Sequence, residues 1–243
     1  MEIKSLSNSQ IKRVVSLHNK KYRDEYKEFF IEGEKTIKEA IKSNQKIKNI
    51  YYCPKMIDYK LDIPGIEVTE EVIKKITDVT TSQGIVAVCE TPQYLDFKKD
   101  RILFLDRVQD PGNVGTIIRT ADAFGFDAVF LSKGCADVYS PKVVRSTMGS
   151  IFHLPIIQNV TVEELKTIGN KIYSSTLETN NFLDKIEILP KFTLVIGNEG
   201  NGISEEIKNI TDKFVKINMQ GNAESLNASI AAGILMYEFS KNN

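Results

Sequence analysis

The sequence is poor in the residues that bind metals and in long apolar runs. It has two histidines and three cysteines among 243 residues, and Cys53, Cys89 and Cys135 stand far apart. An odd number of isolated cysteines, with no paired histidines at ligand spacing, indicates reduced thiols, so we expect no metal. No segment approaches the roughly 18 uninterrupted apolar residues of a membrane helix, and the polar start lacks the apolar core of a signal peptide. We therefore expect a cytoplasmic protein with no membrane partner.

The sequence also has no net charge, which argues against a large surface for non-specific nucleic-acid binding. The charges are, however, unevenly distributed along the chain. Residues 1–60 hold 14 Lys and Arg against 8 Asp and Glu. This basic end is the natural place for contacts to RNA phosphates, although a solvated helix face would look the same. The candidate RNA-binding residues are Lys12, Arg13, Lys20, Lys21 and Arg23.

A change in composition near residue 91 indicates two domains. Eleven of the fourteen glycines lie after residue 100, and residues 91–100 have neither a helical nor a strand period. We expect a first domain over residues 1–90, a linker over 91–100 and a second domain over 101–243. The first domain reads as a small α/β sandwich that begins with a basic helix near Asn8 to Tyr26. In the second, short strands alternate with helical patterns, which predicts a parallel sheet with crossover helices. The strands predicted there are Ile102–Asp106, Ala128–Leu131, Lys171–Thr176, Leu194–Gly197 and Phe214–Ile217.

The first informative segment follows the first strand of the second domain. Pro111-Gly112 predicts a turn, and a helical stripe of apolar residues comes after it. The stripe consists of Val114, Ile117, Ile118, Ala121 and Phe124. At 100° per residue Arg119 falls nearly opposite this stripe. An arginine there can reach a phosphate or a ribose at the carboxyl edge of the sheet, but it is also consistent with a solvated surface arginine.

The second segment has three glycines in six residues, Gly197, Gly200 and Gly202, after a buried strand. Such glycines let backbone amides approach a ligand closely, and a simple tight turn explains them equally. Their order is neither a Walker loop nor the dinucleotide fingerprint, which disfavours a nucleotide hydrolase or a dehydrogenase. Glu199 would repel a phosphate and suits a ligand without phosphates or with positive charge.

The third segment opens a C-terminal helix. Ser225, Asn227 and Ser229 crowd its first turn, and helix capping explains one of these polar residues but not three. We expect the buried stripe of this helix to consist of Leu226, Ile230, Ile234 and Tyr237.

Together the three segments resemble the SpoU (TrmH-type) class of the SPOUT methyltransferase superfamily. The resemblance covers roughly residues 101–240, and residues 142–150 also look like the family's middle region. It is carried by Asn113-Val114-Gly115 with Arg119-Thr120-Ala121, by Gly197-Asn198-Glu199-Gly200 with Gly202, and by Glu224-Ser225-Leu226-Asn227-Ala228-Ser229. Through Phe29-Phe30-Ile31-Glu32-Gly33 and Thr81-Ser82-Gln83-Gly84, residues 1–90 are similar, more loosely, to the RNA-binding domain related to ribosomal proteins that often precedes this catalytic domain.

The resemblance implies a SPOUT-type parallel α/β sheet with a C-terminal trefoil knot, a homodimer, and S-adenosylmethionine as cofactor. The implied cofactor pocket comprises Thr176, Leu177, Gly197, Asn198, Gly200, Ile217, Met219, Ser225, Leu226 and Asn227. The family usually has proline at the position of Asn218, so this part of the pocket is expected to be less rigid.

The implied reaction is methyl transfer to a ribose 2′-hydroxyl of RNA. The resemblance places the catalytic residues at Arg119, Asn113, Glu199, Ser225 and Asn227. An unperturbed guanidinium is a poor base because its pKa exceeds about 12. We therefore expect Arg119 to bind the 3′ phosphate and to stabilise the developing alkoxide, while the phosphate or a water accepts the proton. Direct base action by Arg119 remains an alternative.

The type of N-terminal domain favours large-subunit ribosomal RNA as substrate. The alternatives are a transfer RNA 2′-O-methyltransferase and an inactive RNA-binding or ribosome-assembly protein. The presence of Arg119, Glu199, Ser225 and Asn227 argues against the inactive form. If RNA recognition instead lies on the catalytic dimer, Lys142 and Arg145 are the candidates.

Overall fold

A computed structural model of the chain describes residues 2–58, 63–77, 79, 81–94 and 98–241. Two compact units are present. The first takes in Met1–Gln93 and Tyr139–Phe152, and the second Tyr94–Val138 and His153–Asn243. Residues 95–97 of the predicted linker lie outside the described residues.

The elements are named here in chain order. The helices are α1 (Ser9–Ser16), α2 (Lys20–Tyr26), α3 (Glu34–Lys42), α4 (Glu70–Thr77), α5 (Pro111–Ala123), α6 (Pro141–Thr147), α7 (Val162–Ile168), α8 (Glu205–Lys208) and α9 (Ala228–Ser240). The strands are β1 (Glu28–Glu32), β2 (Ile47–Tyr52), β3 (Ile66–Glu67), β4 (Ile85–Glu90), β5 (Arg101–Leu105), β6 (Ala128–Leu131), β7 (Ile156–Gln158), β8 (Lys171–Ser175), β9 (Phe192–Ile196) and β10 (Lys213–Val215). Short 3₁₀ turns lie at Ser150–Phe152 and Leu183–Lys185.

The first unit is a four-stranded sheet in the order β1-β4-β2-β3, with β1, β4 and β2 antiparallel. The helix predicted over Asn8–Tyr26 is wrong as a single helix, because the Asn19 side chain accepts a hydrogen bond from the Lys21 amide and starts α2. Strand β1 is buried along its whole length.

Residues Tyr139–Phe152 belong to the first unit because they pack on β1. The ring of Phe29 lies 4.8 Å from the ring of Tyr139 and 6.5 Å from that of Phe152. By their place in the chain, these residues fall within the predicted second domain, 101–243. Contacts with Phe29, which is distant in sequence, decide where these residues lie in the fold. The helical or strand periodicity of a local segment cannot predict such contacts.

The second unit is a six-stranded sheet in the order β10-β8-β9-β5-β6-β7, and every pairing is parallel. The predicted parallel sheet with crossover helices is confirmed. Strand β7 was not predicted. The Thr161 capping box of α7 is present in full. The trefoil knot stays a prediction.

This strand order places a ligand-binding crevice at a definite point. From β5 the chain moves to β6 and β7 on one side, and β9, β8 and β10 lie on the other. Open parallel sheets bind ligands outside the carboxyl ends of the strands where the order reverses. Here that point lies between β5 and β9, directly after Leu105 and Ile196.

The buried face of α9 differs from the predicted stripe. Ala232, Leu235, Met236 and Phe239 are buried, and the Phe239 ring lies 5.0 Å from that of Phe192 on β9. Three members of the predicted stripe are exposed instead: Ile230 at 56%, Ile234 at 37% and Tyr237 at 51%. The prediction was wrong because α9 is apolar on both sides, so the helical period does not select one of them.

In the part of the chain that the structure describes, no helix has the length and apolarity needed to cross a bilayer. The same residues include no group of three or more His, Cys, Asp or Glu side chains arranged to hold a metal ion.

Candidate active site

The start of α5 places Asn113 at the carboxyl end of β5. Asp110 caps the helix by accepting a hydrogen bond from the Asn113 amide at 2.8 Å, and Pro111 fills the first helical position. Proline suits this position because an N–H group in the first turn has no acceptor within the helix, so a residue without an N–H loses no hydrogen bond. The Asn113 side chain is therefore held in the first turn, with the residue 9% exposed.

Asn113 joins the three motif segments through its side chain. The Asn227 Nδ2 donates to Asn113 Oδ1 at 3.0 Å, and Asn113 Nδ2 donates to Glu199 Oε1 at 3.1 Å. The backbone amides of Gln109 and Asp110 each lie 3.4 Å from a Glu199 carboxylate oxygen. We call this series, Asn227 to Asn113 to Glu199, the amide chain. It links α9, α5 and the loop after β9.

The amide chain has a fixed direction. An ionised carboxylate only accepts hydrogen bonds, so Glu199 orients the Asn113 amide, which then orients Asn227. The Asn227 Oδ1 is left to cap α9, accepting from the Ser229 amide at 2.9 Å and from the Ile230 amide at 3.3 Å. The ionic state of Glu199 and the start of α9 are thus connected through two side chains.

Glu199 favours its ionised form. Burial raises the pKa of this carboxyl. The hydrogen bond from Asn113 and those from backbone amides, among them Gln109 and Asp110, lower the pKa, and together they outweigh the effect of burial. The net pKa lies below the ordinary value. A carboxylate with a lowered pKa is a weak proton acceptor, so this group suits positioning better than general base catalysis.

The glycine-rich loop after β9 is closed on itself. Asn198 and Gly202 exchange backbone hydrogen bonds, each 2.9 Å long. A Cβ atom at Gly197 would lie 2.4 Å from the Gly202 carbonyl carbon, so only glycine fits there. Gly202 has φ +65°, which also favours glycine, whereas a Cβ at Gly200 would lie no closer than 3.7 Å to Asn198 Oδ1. The sequence pattern did not separate these three roles.

The Asn198 side chain organises this loop. Its Oδ1 accepts from the amides of Gly200 and Asn201, each at 3.0 Å, and its Nδ2 donates to the Arg107 carbonyl at 2.8 Å. Its polar atoms therefore have partners within the protein. We assign Asn198 to loop shape and not to side-chain contact with a cofactor.

The other pocket candidates lie at one edge of the sheet. Strands β10, β8 and β9 are neighbours, so the loops that follow them meet at their carboxyl ends. Within the described residues, the backbone N–H and C=O groups of Leu177, Ile217, Met219 and Leu226 make no hydrogen bonds. Thr176 is tied to β10 through its amide, which donates to the Val215 carbonyl at 3.0 Å.

These features fit S-adenosylmethionine. Free backbone groups beside half-buried apolar side chains are suited to read the edge of an adenine and to enclose its faces. The residues that would hold the cofactor are therefore those of the loops after β8, β9 and β10 together with Leu226.

Two predicted catalytic residues stand apart from the amide chain. Arg119 is exposed on α5, as its position opposite the apolar stripe predicts, and Ser225 is exposed before α9. Neither side chain makes a hydrogen bond or ion pair to any residue that the structure describes. Both side chains are available to a ligand.

The predicted RNA-binding cations fall into three groups. Arg23 is buried and donates to the Leu17 and His18 carbonyls at 2.6 and 2.8 Å, so it is structural and the prediction for it is wrong. Arg13 binds the buried carboxylate of Glu28 through two hydrogen bonds of 3.0 and 3.1 Å. The remaining candidates are exposed: Lys12, Lys20, Lys21, Lys142 and Arg145.

Sequence reasoning missed the part that Asp110 plays. Its side chain caps α5 and its backbone amide faces Glu199. The signal was the Asp-Pro pair at the start of a helical pattern, which is typical of an N-cap followed by proline at the first helical position.

A parallel sheet with the amide chain at the reversal of strand order, beside a glycine loop that carries a carboxylate, is typical of an α/β enzyme. The model of the SpoU rRNA methylase family matches residues 100–237, and that of an MRM3-like substrate-binding domain matches residues 8–87. The chain belongs to the SpoU rRNA methylase family.

Similar proteins match over the whole chain. The 23S rRNA (guanosine(2553)-2′-O)-methyltransferase RlmP of Bacillus subtilis is 38% identical over 97% of this chain and 98% of its own. The AdoMet-bound rRNA methyltransferase from Sinorhizobium meliloti has a TM-score of 0.89 and 32% identity over 100% of this chain and 98% of its own. The AdoMet complex of the SpoU methyltransferase AviRb from Streptomyces viridochromogenes has a TM-score of 0.85 and 26% identity over 97% of this chain and 98% of its own. The predicted family, enzyme class and cofactor are confirmed.

Proposed function

We propose that this enzyme methylates the ribose 2′-oxygen of a guanosine in 23S ribosomal RNA, in the cytoplasm. The support is the likeness to RlmP, which extends over both units, including the substrate-binding domain. A likeness confined to residues 100–237 would leave the class of RNA open, because that part holds the cofactor chemistry and the first unit supplies a separate surface.

The observation that carries the proposed mechanism is the amide chain. It ties the first turn of α5, the loop after β9 and the first turn of α9 together at the reversal of strand order. When bound, S-adenosylmethionine supplies a methyl group activated by its sulfonium. Asn113, Glu199 and Asn227 position the segments that surround it, which is what an in-line displacement requires of the protein.

Arg119 and Ser225 act on the RNA side in this proposal. Arg119 binds a phosphate of the substrate next to the target ribose and stabilises the negative charge that develops on its 2′-oxygen. The bound phosphate or a water accepts the proton. Ser225 donates a hydrogen bond within the pocket at the start of α9.

We also propose that the enzyme is a homodimer that pairs through α9. Ile230, Ile234 and Tyr237 follow each other at helical spacing and are exposed at 56%, 37% and 51%. A row of three large apolar side chains on one helix face is typical of a surface that another protein covers. A second copy of the chain accounts for it without a further partner.

The proposal is tested by transfer of labelled methyl groups to purified RNA. Ribosomal and transfer RNA from cells that lack the gene are incubated with the enzyme and S-adenosylmethionine. We expect label in 23S rRNA, no transfer by Arg119→Ala, and only partial transfer by Arg119→Lys, because lysine lacks the planar guanidinium. Cofactor affinity by calorimetry should stay within a few fold in both variants. Label in transfer RNA alone, or none with the unsubstituted enzyme, would refute the proposed substrate.

A further inference from the structure

Helix α2 carries two tyrosines in contact at its surface. The rings of Tyr22 and Tyr26 have centroids 5.8 Å apart and planes inclined by 30°, which is a stacked arrangement. Both residues are partly exposed. Tyr26 packs against the core of the first unit, whereas Tyr22 is not part of that core. Packing alone therefore does not explain Tyr22.

Cations flank this pair. The Lys21 Nζ lies 5.6 Å from the centre of the Tyr22 ring, and the Arg13 guanidinium carbon lies 4.2 Å from the centre of the Tyr26 ring. Lys21 is exposed to solvent. We call Lys21, Tyr22, Tyr26 and Arg13 the tyrosine platform.

The Arg13 end of the platform is fixed. Its guanidinium is held by Glu28, whose side chain is 4% exposed and also accepts from Lys48 Nζ at 2.8 Å. One buried carboxylate thus orients two cations, and the guanidinium plane is set before any ligand arrives. This fixed end keeps Tyr26, and through it Tyr22, in place.

We propose that the tyrosine platform binds an unpaired RNA base on the outer face of Tyr22, with Lys21 and Arg13 contacting the neighbouring phosphates. The inference rests on the proposed RNA substrate. Aromatic side chains that carry a base on one face, beside cations that follow the backbone, are the usual means of holding single-stranded RNA. Lys12 and Lys27, the chain neighbours of Arg13 and Tyr26, are also exposed cations, whereas Asp24 and Glu25 of α2 are exposed acids.

Binding of RNA with substitutions at Tyr22 tests the proposal. The full-length protein is titrated with a short unstructured oligoribonucleotide and with its duplex form over a range of salt concentrations. We expect Tyr22→Ala to weaken single-strand binding about tenfold at every salt concentration, and Tyr22→Phe to change it by less than about twofold, because stacking needs the ring and not the hydroxyl. Lys21→Gln should instead reduce the salt slope by about one.

Tyr52 provides a matched control, because it is a partly exposed tyrosine of the same unit outside the platform. Tyr52→Ala should leave single-strand affinity unchanged. The chain contains no tryptophan, so Tyr22→Trp introduces a single indole as a direct probe. We expect its fluorescence to fall when single-stranded RNA is added and to change little with duplex, while that of Tyr52→Trp stays constant.

Three results would overturn the proposal. If the unsubstituted protein binds and methylates RNA while Tyr22→Ala binds the single strand equally well, the platform is wrong and the proposed function stands. If Tyr22→Ala loses affinity for the single strand and for the duplex by the same factor, and the fluorescence of the Tyr22→Trp indole is not quenched, the surface binds RNA by charge and not by stacking. If the unsubstituted protein binds no RNA, the platform and the proposed substrate both fail. Should Tyr22→Ala not fold, the Tyr22→Phe affinity and the indole signal decide.

Discussion

Asn227 performs two tasks with the two ends of one amide. Its oxygen caps α9, and its nitrogen donates to Asn113. Asn227→Ala removes both and should lower the free energy of unfolding by about 1 kcal/mol. Asn227→Asp keeps the cap but turns a carboxylate oxygen toward Asn113 Oδ1 in place of the donor, so its loss of stability in urea unfolding reports on this contact alone. Both variants should bind S-adenosylmethionine more weakly by calorimetry, and unchanged affinity in the Asp variant would show that the amide chain does not shape the pocket.

The lowered pKa of Glu199 gives its contribution to stability a defined pH range. A carboxyl whose pKa is lower in the folded than in the unfolded state stabilises the fold above the unfolded value, and this is lost as the pH falls through the folded value. We expect Glu199→Gln to be less stable than the unsubstituted protein at neutral pH and the difference to shrink on acidification. Urea unfolding of both proteins, from neutral to acidic pH, measures this difference in the free energy of unfolding. A difference that does not depend on pH would contradict the assigned ionic role.

At this scale the sequence predicted three residues that meet, but not their orientation. The motifs identified Asn113, Glu199 and Asn227 through the family resemblance, whereas the direction of the amide chain depends on donors and acceptors brought together from distant segments. The cations show the same limit. A count of basic residues treats Arg23 and Lys21 alike, although one lies buried against carbonyls and the other is exposed.

Among the elements, those with several consecutive buried residues were predictable. β5 and β6 were found to within about a residue because their patterns are clear enough to read. β3 and β7, two and three residues long, were missed, whereas β10, also three residues long, was predicted, so length alone does not decide. The wrong prediction of which face of α9 is buried has a different cause. Because α9 has apolar residues on both sides, its buried face can be predicted only by knowing what covers each side.

That second apolar side of α9 leads to a prediction about assembly. Ile230→Asp with Ile234→Asp places two carboxylates on the exposed stripe and should convert the dimer to a monomer, measured by light scattering during size exclusion. The fold should survive because neither residue is buried. Ala232→Asp, on the buried side, is the contrasting variant and should unfold the unit instead. A dimer that persists in the double variant would place the interface elsewhere.

For the whole molecule, the division into units alters what a truncation should do. Removing residues 1–90 also removes Phe29, against which Tyr139 and Phe152 pack. We expect the truncated protein to bind S-adenosylmethionine but to melt at a lower temperature. Its RNA affinity should be lower with a shallower dependence on salt, because the exposed cations of α1 and α2 are gone. The same affinity and salt slope as the full chain would move recognition to Lys142 and Arg145.

The most direct test of the account as a whole is a map of ribose methylation in the RNA of cells with and without this gene. We predict that one guanosine of 23S rRNA loses its 2′-O-methyl group when the gene is deleted. The methyl group should return with the intact gene and not with Arg119→Ala. An unchanged 23S map, or a loss confined to transfer RNA, would contradict the account.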